Sequence, residues 1–545
     1  MEADIAIFPE LSLTGYPPED LLLKPSFIEE NQKFIHKLAD YTDNIIAIVG
    51  FAFKGEGLYN SAAVLCNRKI IHVCHKQFLP NYSVFDEERY FQKGSSNTVL
   101  EIDDVTVGIN ICEDIYYSAG PAAVQSLAGG ASLIINISAS PYYIGRIQQR
   151  EKLFFARAVD NRTNIFYLNL AGGQDELVFD GSSMAINENG DILARAKPFC
   201  QDRLVLDLDL SGVKFARLED NKYKNQRLSH KDSKVDIVNT EFRVKDKKRK
   251  LADRADYYEK MIACPEEEAF NALVAGTRDY VLKNGFSKAV LGLSGGIDSA
   301  LTAVIASFAL GNENVNALIM PSIYSSEDSM GDSEKLSANL GINHIMVPIT
   351  DIYEIYLASL NHLLKTSEIN ITKENIQARI RGNILMAMAN EFQWVVLATG
   401  NKSETSVGYT TLYGDMAGGF SPIKDVYKTM VYKICRFLNK KYANLIPYNI
   451  LERPPSAELK PDQKDEDKLP RYEILDLILK SYIEEEKDYA SIVKMGIDPQ
   501  VVKEVINMVD SSEYKRRQGA PGIKITPRAF GKDRRYPITN AFRLE

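Results

Sequence analysis

The sequence predicts an α/β protein of two layered domains, the second of them a doubly wound parallel sheet. Three observations carry that prediction. At 545 residues the chain exceeds what one hydrophobic core organises. Short apolar runs bounded by Gly, Pro, Asn or Asp recur along it, spaced by stretches of helical length. The alternation breaks once, in a polar stretch from about Tyr223 to Lys250, and then resumes.

In the first series the strand-like runs are Asp4-IAIF, Asn44-IIAIVGFAF, Val105-TVGINI, Ala131-SLIINIS and Asn164-IFYLNLA, with a helix expected over 150–160. The pattern fades after Leu210. The polar stretch ends in "KDKKRK" (residues 245–250). It reads as a solvated linker rather than a nucleic-acid or membrane patch, because the whole chain is acidic. The expected boundaries are a first domain over 1–222, a linker over 223–262 and a second domain over 263–545. In the second series a helix over 266–283 precedes the strand Ala289-VLGL, and a helix over 299–310 follows it. Strands Val315-NALIMP and His344-IMVPI flank a helix that ends before Gly341. Gln393-WVVLATG follows a long helix from Ile376. Such a repeat of strand and helix winds a parallel sheet.

Composition excludes several classes. Hydrophobic residues at 45% and charged residues at 25% match an ordinary globular protein. A net charge of -8 argues against a broad grip on nucleic acid. The acidic start lacks a basic n-region, and runs such as 45–53 are too short to cross a bilayer. Six cysteines without a C-x-x-C pair suggest neither a disulfide framework nor a thiolate zinc site. The expectation is a cytoplasmic enzyme with reduced thiols and no nucleic-acid or membrane partner.

The most informative stretch is "LGLSGGIDSA" (residues 291–300). A strand runs into a glycine turn and a helix opens near Asp298. The turn points several N–H groups at one spot, and the helix adds its positive dipole end, which makes an anion cradle. It lacks the lysine of a Walker loop and the spacing of a dinucleotide fingerprint. Asp298 inside the loop would repel phosphate unless a cation sits between them, and Mg²⁺ resolves that conflict.

The segment 294–299 resembles the S-G-G-x-D-S loop of the ATP pyrophosphatases, which grip departing pyrophosphate while the α-phosphate is attacked. Further motifs narrow the resemblance to the NAD⁺ synthetases: Glu374-NIQARIRGN, Ala398-TGNKSETSVGYTTLYGD, Arg453-PPSAELKPDQKDED, Glu513-YKRRQ and Lys524-ITPRAFGKDRRYPI. It implies an ATP site formed by Gly292, Leu293, Ser294, Gly295, Gly296, Ile297, Asp298 and Ser299, with Thr399 nearby. It also implies Mg²⁺ on Asp298 and Glu404, and a deamido-NAD pocket lined by Asn375, Glu404 and Lys515. Asp415 is a weaker candidate there, and Lys424 a candidate at the phosphates.

In the first half, Cys112 ends the run Val105-TVGINI, where α/β folds expose chemistry. The neighbouring Glu113 and Asp114 would oppose a thiolate, so a reactive Cys112 needs a cation and a base close by. His72 and His75 are candidates. Lys76 in "HKQFLPNYSVFDEERYF" (75–91) fits better, because an ammonium also stabilises an oxyanion. Glu10 in "FPELSLTGYPPEDL" (8–21) is the candidate base.

These segments resemble the Glu-Lys-Cys triad of nitrilase-type amidases, and more closely the glutaminase domain of glutamine-dependent NAD⁺ synthetases. "NISASPYYIGRIQQR" (136–150) belongs to that pattern. The resemblance implies catalysis by Glu10, Lys76 and Cys112, with glutamine held by Tyr82, Ser140 and Arg146. It implies a nitrilase-like α-β-β-α domain, here without the family's preceding strand and helix, followed by an adenine nucleotide alpha hydrolase-like synthetase domain. The activity implied is amidation of deamido-NAD to NAD with ATP and with ammonia from glutamine, by a homo-oligomer assembled through the synthetase domain. Three rivals remain at this stage. One is a glutaminase serving another acceptor, as in GMP-synthetase-like proteins. The others are a sulfur-transferring tRNA enzyme and a catalytically dead scaffold.

Overall fold

Alternation along the strands of the first half decides its layering. The computed structural model describes residues 3–244, 264–364, 369–461 and 463–542. The chain divides into two compact units, Met1–Gly172 with Phe179–Met261, and Gly173–Val178 with Ile262–Glu545.

In the first unit β1 (Ile5–Ile7), β2 (Ile46–Lys54), β3 (Leu58–Cys66) and β4 (Lys69–His75) form one sheet in chain order. A second sheet collects β5 (Thr98–Ile102), β6 (Val105–Ile111), β7 (Leu133–Ser138) and β8 (Asn164–Asn169). β9 (Ala171–Gln174) and β10 (Leu177–Asp180) pair separately, and β11 (Met184–Ile186) and β12 (Ile192–Arg195) extend the second sheet. Ile46 and Ile48 of β2 face inward with Ala62 and Val64. There they meet Val107, Ile109 and Ile111 of β6 and Leu133, Ile135 and Ile137 of β7.

The intervening residues Ala47, Val49 and Phe51 face the other way, onto Ile35 and Ala39 of α1 (Pro25–Ala39). Ile134 of β7 likewise faces Ala122 of α2 (Pro121–Leu127) and Phe154 and Ala158 of α3 (Arg146–Asn161). A period of two therefore gives each inner strand two apolar faces, and the layers stack α-β-β-α.

The stretch expected as a linker over 223–262 is corrected in its described part. α4 (Ser211–Glu219) leads into α5 (Asn221–Ser229), whose Tyr223 is buried among Ala123 and Leu127 of α2. β13 (Asp236–Asn239) then pairs in parallel with β5 at the end of the second sheet. Only Ile237 and Val238 of its four residues are apolar, and the charged stretch around them concealed the strand. "KDKKRK" lies outside the described residues.

In the second unit β14 (Ala289–Gly292), β15 (Val315–Ile319), β16 (Asn343–Met346) and β17 (Val395–Val396) are all parallel, in the order β16-β15-β14-β17. Helices α6 (Pro265–Lys283), α7 (Ile297–Leu310), α8 (Glu327–Leu340), α9 (Thr350–Leu360) and α10 (Ile371–Phe392) complete the winding. The order reverses at β14, so the crevice beyond its C-terminal end is the topological switch point where such sheets bind ligands. The glycine loop lies there.

Gly50 shows how tightly the first unit holds one loop. A Cβ there would stand 2.2 Å from Pro9 O and 2.7 Å from Glu10 Cα. We expect Gly50→Ala to destabilise the first unit by about 1–3 kcal/mol, as overpacking does, read as a lower urea midpoint.

Candidate active sites

Four strand ends build the first site. Glu10 follows β1, Lys76 follows β4, Cys112 follows β6 and Ser140 follows β7. Lys76 Nζ donates to Glu10 Oε1 at 2.7 Å and to Glu87 Oε1 at 2.8 Å. All three side chains are buried. Asn60 Nδ2 donates to Glu10 Oε1 at 2.7 Å, and Ala139 N–H to Glu10 Oε2 at 2.8 Å. Tyr16 OH donates to Glu87 Oε1 at 2.7 Å. Burial lowers the affinity of Lys76 for its proton, but Glu10 and Glu87 outweigh it and hold the ammonium charged.

Cys112 is 4% exposed and adopts φ +44°, a left-handed backbone that a non-glycine residue rarely takes. Its thiol is pushed well above the usual value by burial first and by Glu10 second, with Lys76 acting in the opposite direction. The resting cysteine is therefore a thiol beside a base and a cation. Glu113 adds to that rise, as expected, while Asp114 is held by the backbone. Its oxygens accept from the N–H groups of Gln77, Phe78 and Ile111. The histidines take no part: His75 Nδ1 pairs with Ser61 Oγ at 2.7 Å and His72 Nε2 with Thr98 Oγ1 at 3.1 Å.

The expected glutamine-holding residues fall into two groups. Tyr82, half exposed, donates from its OH to both carboxylate oxygens of Glu113 at 3.1 Å. Arg146 opens α3 and donates through Nη2 to Tyr116 OH at 2.7 Å. Tyr116 also shares a hydrogen bond with the buried Ser140. Sequence reasoning missed Glu87, Asn60, Tyr16, Glu113 as a ligand, and Tyr116. Glu87 sits within "DEE" (86–88), where nothing in the sequence separates one acid from the next.

The second site is a cavity of about 310 Å³ lined by residues 292–299, Thr399, Glu404, Asp415, Lys424, Lys428 and Asp465, among others. Gly295, at φ +76°, lies so close to α8 that a Cβ would meet Ser329 O at 2.6 Å. Ser294 Oγ lies 3.2 Å from Ser299 Oγ and accepts from Gly296 N–H at 3.3 Å. These contacts fix the loop with its N–H groups clustered.

Asp298 and Glu404 converge on one ammonium. Lys428 Nζ donates to Asp298 Oδ2 and, at 3.1 Å, to Glu404 Oε1. Asn401 caps α11 (Lys402–Val407) by accepting from Glu404 N–H at 2.9 Å, and its Nδ2 donates to Asp298 Oδ1 at 3.0 Å. The buried Lys402 pins the start of the same helix through Asp425 at 2.8 Å, Glu484 at 3.0 Å and Thr526 at 2.6 Å. Burial lifts the Glu404 carboxyl to about 7, with Asp298 and Asp465 adding to the rise and Lys428 opposing it. Asp465 accepts from Tyr472 OH at 2.8 Å.

Two facing carboxylates beside a cluster of N–H donors suit Mg²⁺, which binds through one or two carboxylates together with phosphate oxygens. Among the described residues no group of three or more His, Cys, Asp or Glu could hold a metal by itself.

Asn375 and Lys515 are not among the residues lining the cavity. They attach to the 408–415 segment at its rim: Thr411 Oγ1 donates to Asn375 Oδ1 at 2.8 Å, and Lys515 Nζ to Gly408 O at 2.7 Å. Lys424 lines the cavity and donates to Ala520 O at 2.7 Å. The lysine against Asp298 is Lys428, which the sequence reading did not single out.

Known proteins resemble the chain over both of its halves. A carbon-nitrogen hydrolase family model matches residues 1–218 and an NAD synthase model residues 269–519. A glutamine-dependent NAD(+) synthetase of Thermotoga maritima is 47% identical, covering 99% of this chain and 93% of its own length. That of Aquifex aeolicus is 46% identical, covering 99% and 94%. Among solved structures, the glutamine-dependent NAD+ synthetase of Acinetobacter baumannii in complex with adenosine diphosphate covers 99% of this chain and 92% of its own. It does so at 39% identity and a TM-score of 0.73. The two sites stand in the order of the two family models and the likeness runs from end to end, so the chain belongs to the glutamine-dependent NAD(+) synthetase family.

Proposed function

We propose that Glu10, Lys76 and Cys112 release ammonia from glutamine, and that residues 292–299 with Glu404 and Lys428 activate the acceptor for it. The chain catalyses ATP-dependent amidation of deamido-NAD to NAD with glutamine-derived ammonia. The observation that carries the assignment of residues is the Lys76 ammonium held between Glu10 and Glu87 beside a left-handed Cys112.

In the first site Glu10 takes the Cys112 proton as sulfur attacks the side-chain amide of glutamine. Lys76 stabilises the tetrahedral oxyanion, and ammonia leaves with a proton returned from Glu10. Water activated by Glu10 then hydrolyses the thioester to glutamate. Tyr82 and Glu113 offer acceptors for the glutamine ammonium group, while Arg146, with Ser140 nearby, offers donors for its α-carboxylate.

In the second site the nicotinate carboxylate attacks the α-phosphorus of ATP and pyrophosphate departs into the N–H cluster of residues 292–299. Ammonia then displaces AMP from the adenylated carboxylate. Asp298 and Glu404 would hold Mg²⁺, which supplies positive charge to the leaving phosphates when bound. Lys428 brings a fixed ammonium to the same place. Thr399 and Asp415 line the cavity, on the ATP and the dinucleotide side in this reading, and Asn375 and Lys515 would act on the dinucleotide from its rim through the 408–415 segment. Six free cysteines fit a cytoplasmic setting. The resemblance supports a homo-oligomer through the second unit.

Two outcomes test this division of labour. Cys112→Ala should abolish glutamine-driven NAD formation while ammonium-driven formation persists, measured side by side on the full chain. Glu404→Gln should lower kcat with either nitrogen source, on the order of 10²-fold, since it removes charge used in adenylating the acceptor, a step that both nitrogen sources share.

A further inference from the structure

The left-handed φ of Cys112 raises the question of what holds it. The residue opens a short helical turn, Cys112–Ile115, directly after β6, and Asp114 is the turn's third residue. Asp114 is 1% exposed and lacks a side-chain counter-cation at hydrogen-bond distance among the described contacts. Instead Oδ1 accepts from Gln77 N–H and Phe78 N–H, both at 2.9 Å, and Oδ2 from Ile111 N–H at 3.0 Å. Gln77 follows Lys76, and Ile111 precedes Cys112. One carboxylate thus joins the residue after the cation to the residue before the nucleophile.

We infer that Asp114 is a positioning residue of the glutamine-hydrolysing site, fixing the spacing of Lys76 and Cys112 by clamping the backbones beside both. The inference rests on the assignment of Cys112 as the nucleophile. Each partner needs such a clamp for a different reason. Lys76 carries its ammonium on a long flexible stem, so holding the head through Glu10 and Glu87 does not by itself fix the backbone beneath it. Cys112 sits in a backbone region that persists only when its surroundings over-determine it. Asn136, fully buried, supports it from another side by donating to Cys112 O at 3.3 Å and to Asn110 Oδ1 at 2.6 Å. Burial drives the Asp114 carboxyl up to about 7 against the pull of its three N–H donors, so the clamp sits in a costly place for a charge.

A purely electrostatic part for Asp114 makes the opposite forecast. An anion near sulfur disfavours the thiolate, so removing its charge would make Cys112 more reactive. Asp114→Asn separates the two, because the amide places an N–H donor against a backbone N–H donor and opens the clamp. The test uses the full-length chain and follows glutamine hydrolysis together with alkylation of Cys112 by iodoacetamide, read by mass. In Asp114→Asn we expect kcat for glutamine to fall on the order of 10²-fold with KM nearly unchanged, the size of loss that misplacement brings. Alkylation should slow as well. Asp114→Glu, which keeps the charge and shifts the oxygens by a methylene, should also lower kcat.

Faster alkylation or wild-type kcat in Asp114→Asn would overturn the inference. Should that variant fail to fold, wild-type kcat in Asp114→Glu would overturn it alone. If the wild-type chain hydrolyses no glutamine, or Cys112→Ala still does, the nucleophile assignment fails first. If both hold and Asp114→Asn matches wild type, only the clamp fails.

Discussion

Two carboxyl groups buried side by side must either share a proton or face a cation, and both sites of this chain place one lysine between them. Lys76 bridges Glu10 and Glu87, and Lys428 bridges Asp298 and Glu404. Each lysine is at most 4% exposed. Removing one partner of such a buried pair typically costs about 3–5 kcal/mol, because the other charge is left uncompensated. The arrangement sets more acids than ammonium groups at each place, and that surplus has different uses. In the first site it leaves a carboxylate able to accept a proton from a reluctant thiol. In the second it leaves room for a further cation and for the phosphates that come with it.

The two chemistries need these opposite uses. An amide is opened by a nucleophile that must first lose a proton, which calls for a base within reach and an ammonium for the oxyanion. A carboxylate resists nucleophiles, and its oxygen is a poor leaving group, so it must be adenylated before ammonia can displace it. Adenylation calls for positive charge and N–H donors where pyrophosphate departs. The first arrangement hangs on the ends of β1, β4, β6 and β7, and the second on the switch point after β14.

Much of this was legible because it lies in local pattern. The loop 292–299 carries its glycines, serines and aspartate within a few residues, and its place between a strand and a helix follows from periodicity. The run 105–111 and Cys112 at its end were readable for the same reason. What escaped notice depends on partners far apart in the chain. Glu87 is one acid in a row and becomes distinct only when Lys76 and Tyr16 meet it. Lys428 lies 130 residues from Asp298. The hold of Asp114 on the backbone of Gln77 and Phe78 joins residues more than 35 apart in the chain, which its neighbours in sequence do not announce. β13 carries only Ile237 and Val238 as its apolar signal, too short a run to stand out within a charged stretch.

Which bond of ATP breaks is the most direct test of the second site. With heavy oxygen placed in the nicotinate carboxylate of deamido-NAD, a single turnover should deliver one labelled oxygen to AMP and leave pyrophosphate unlabelled. Release of ADP and orthophosphate, or AMP free of label, would contradict attack at the α-phosphorus in the cradle of residues 292–299.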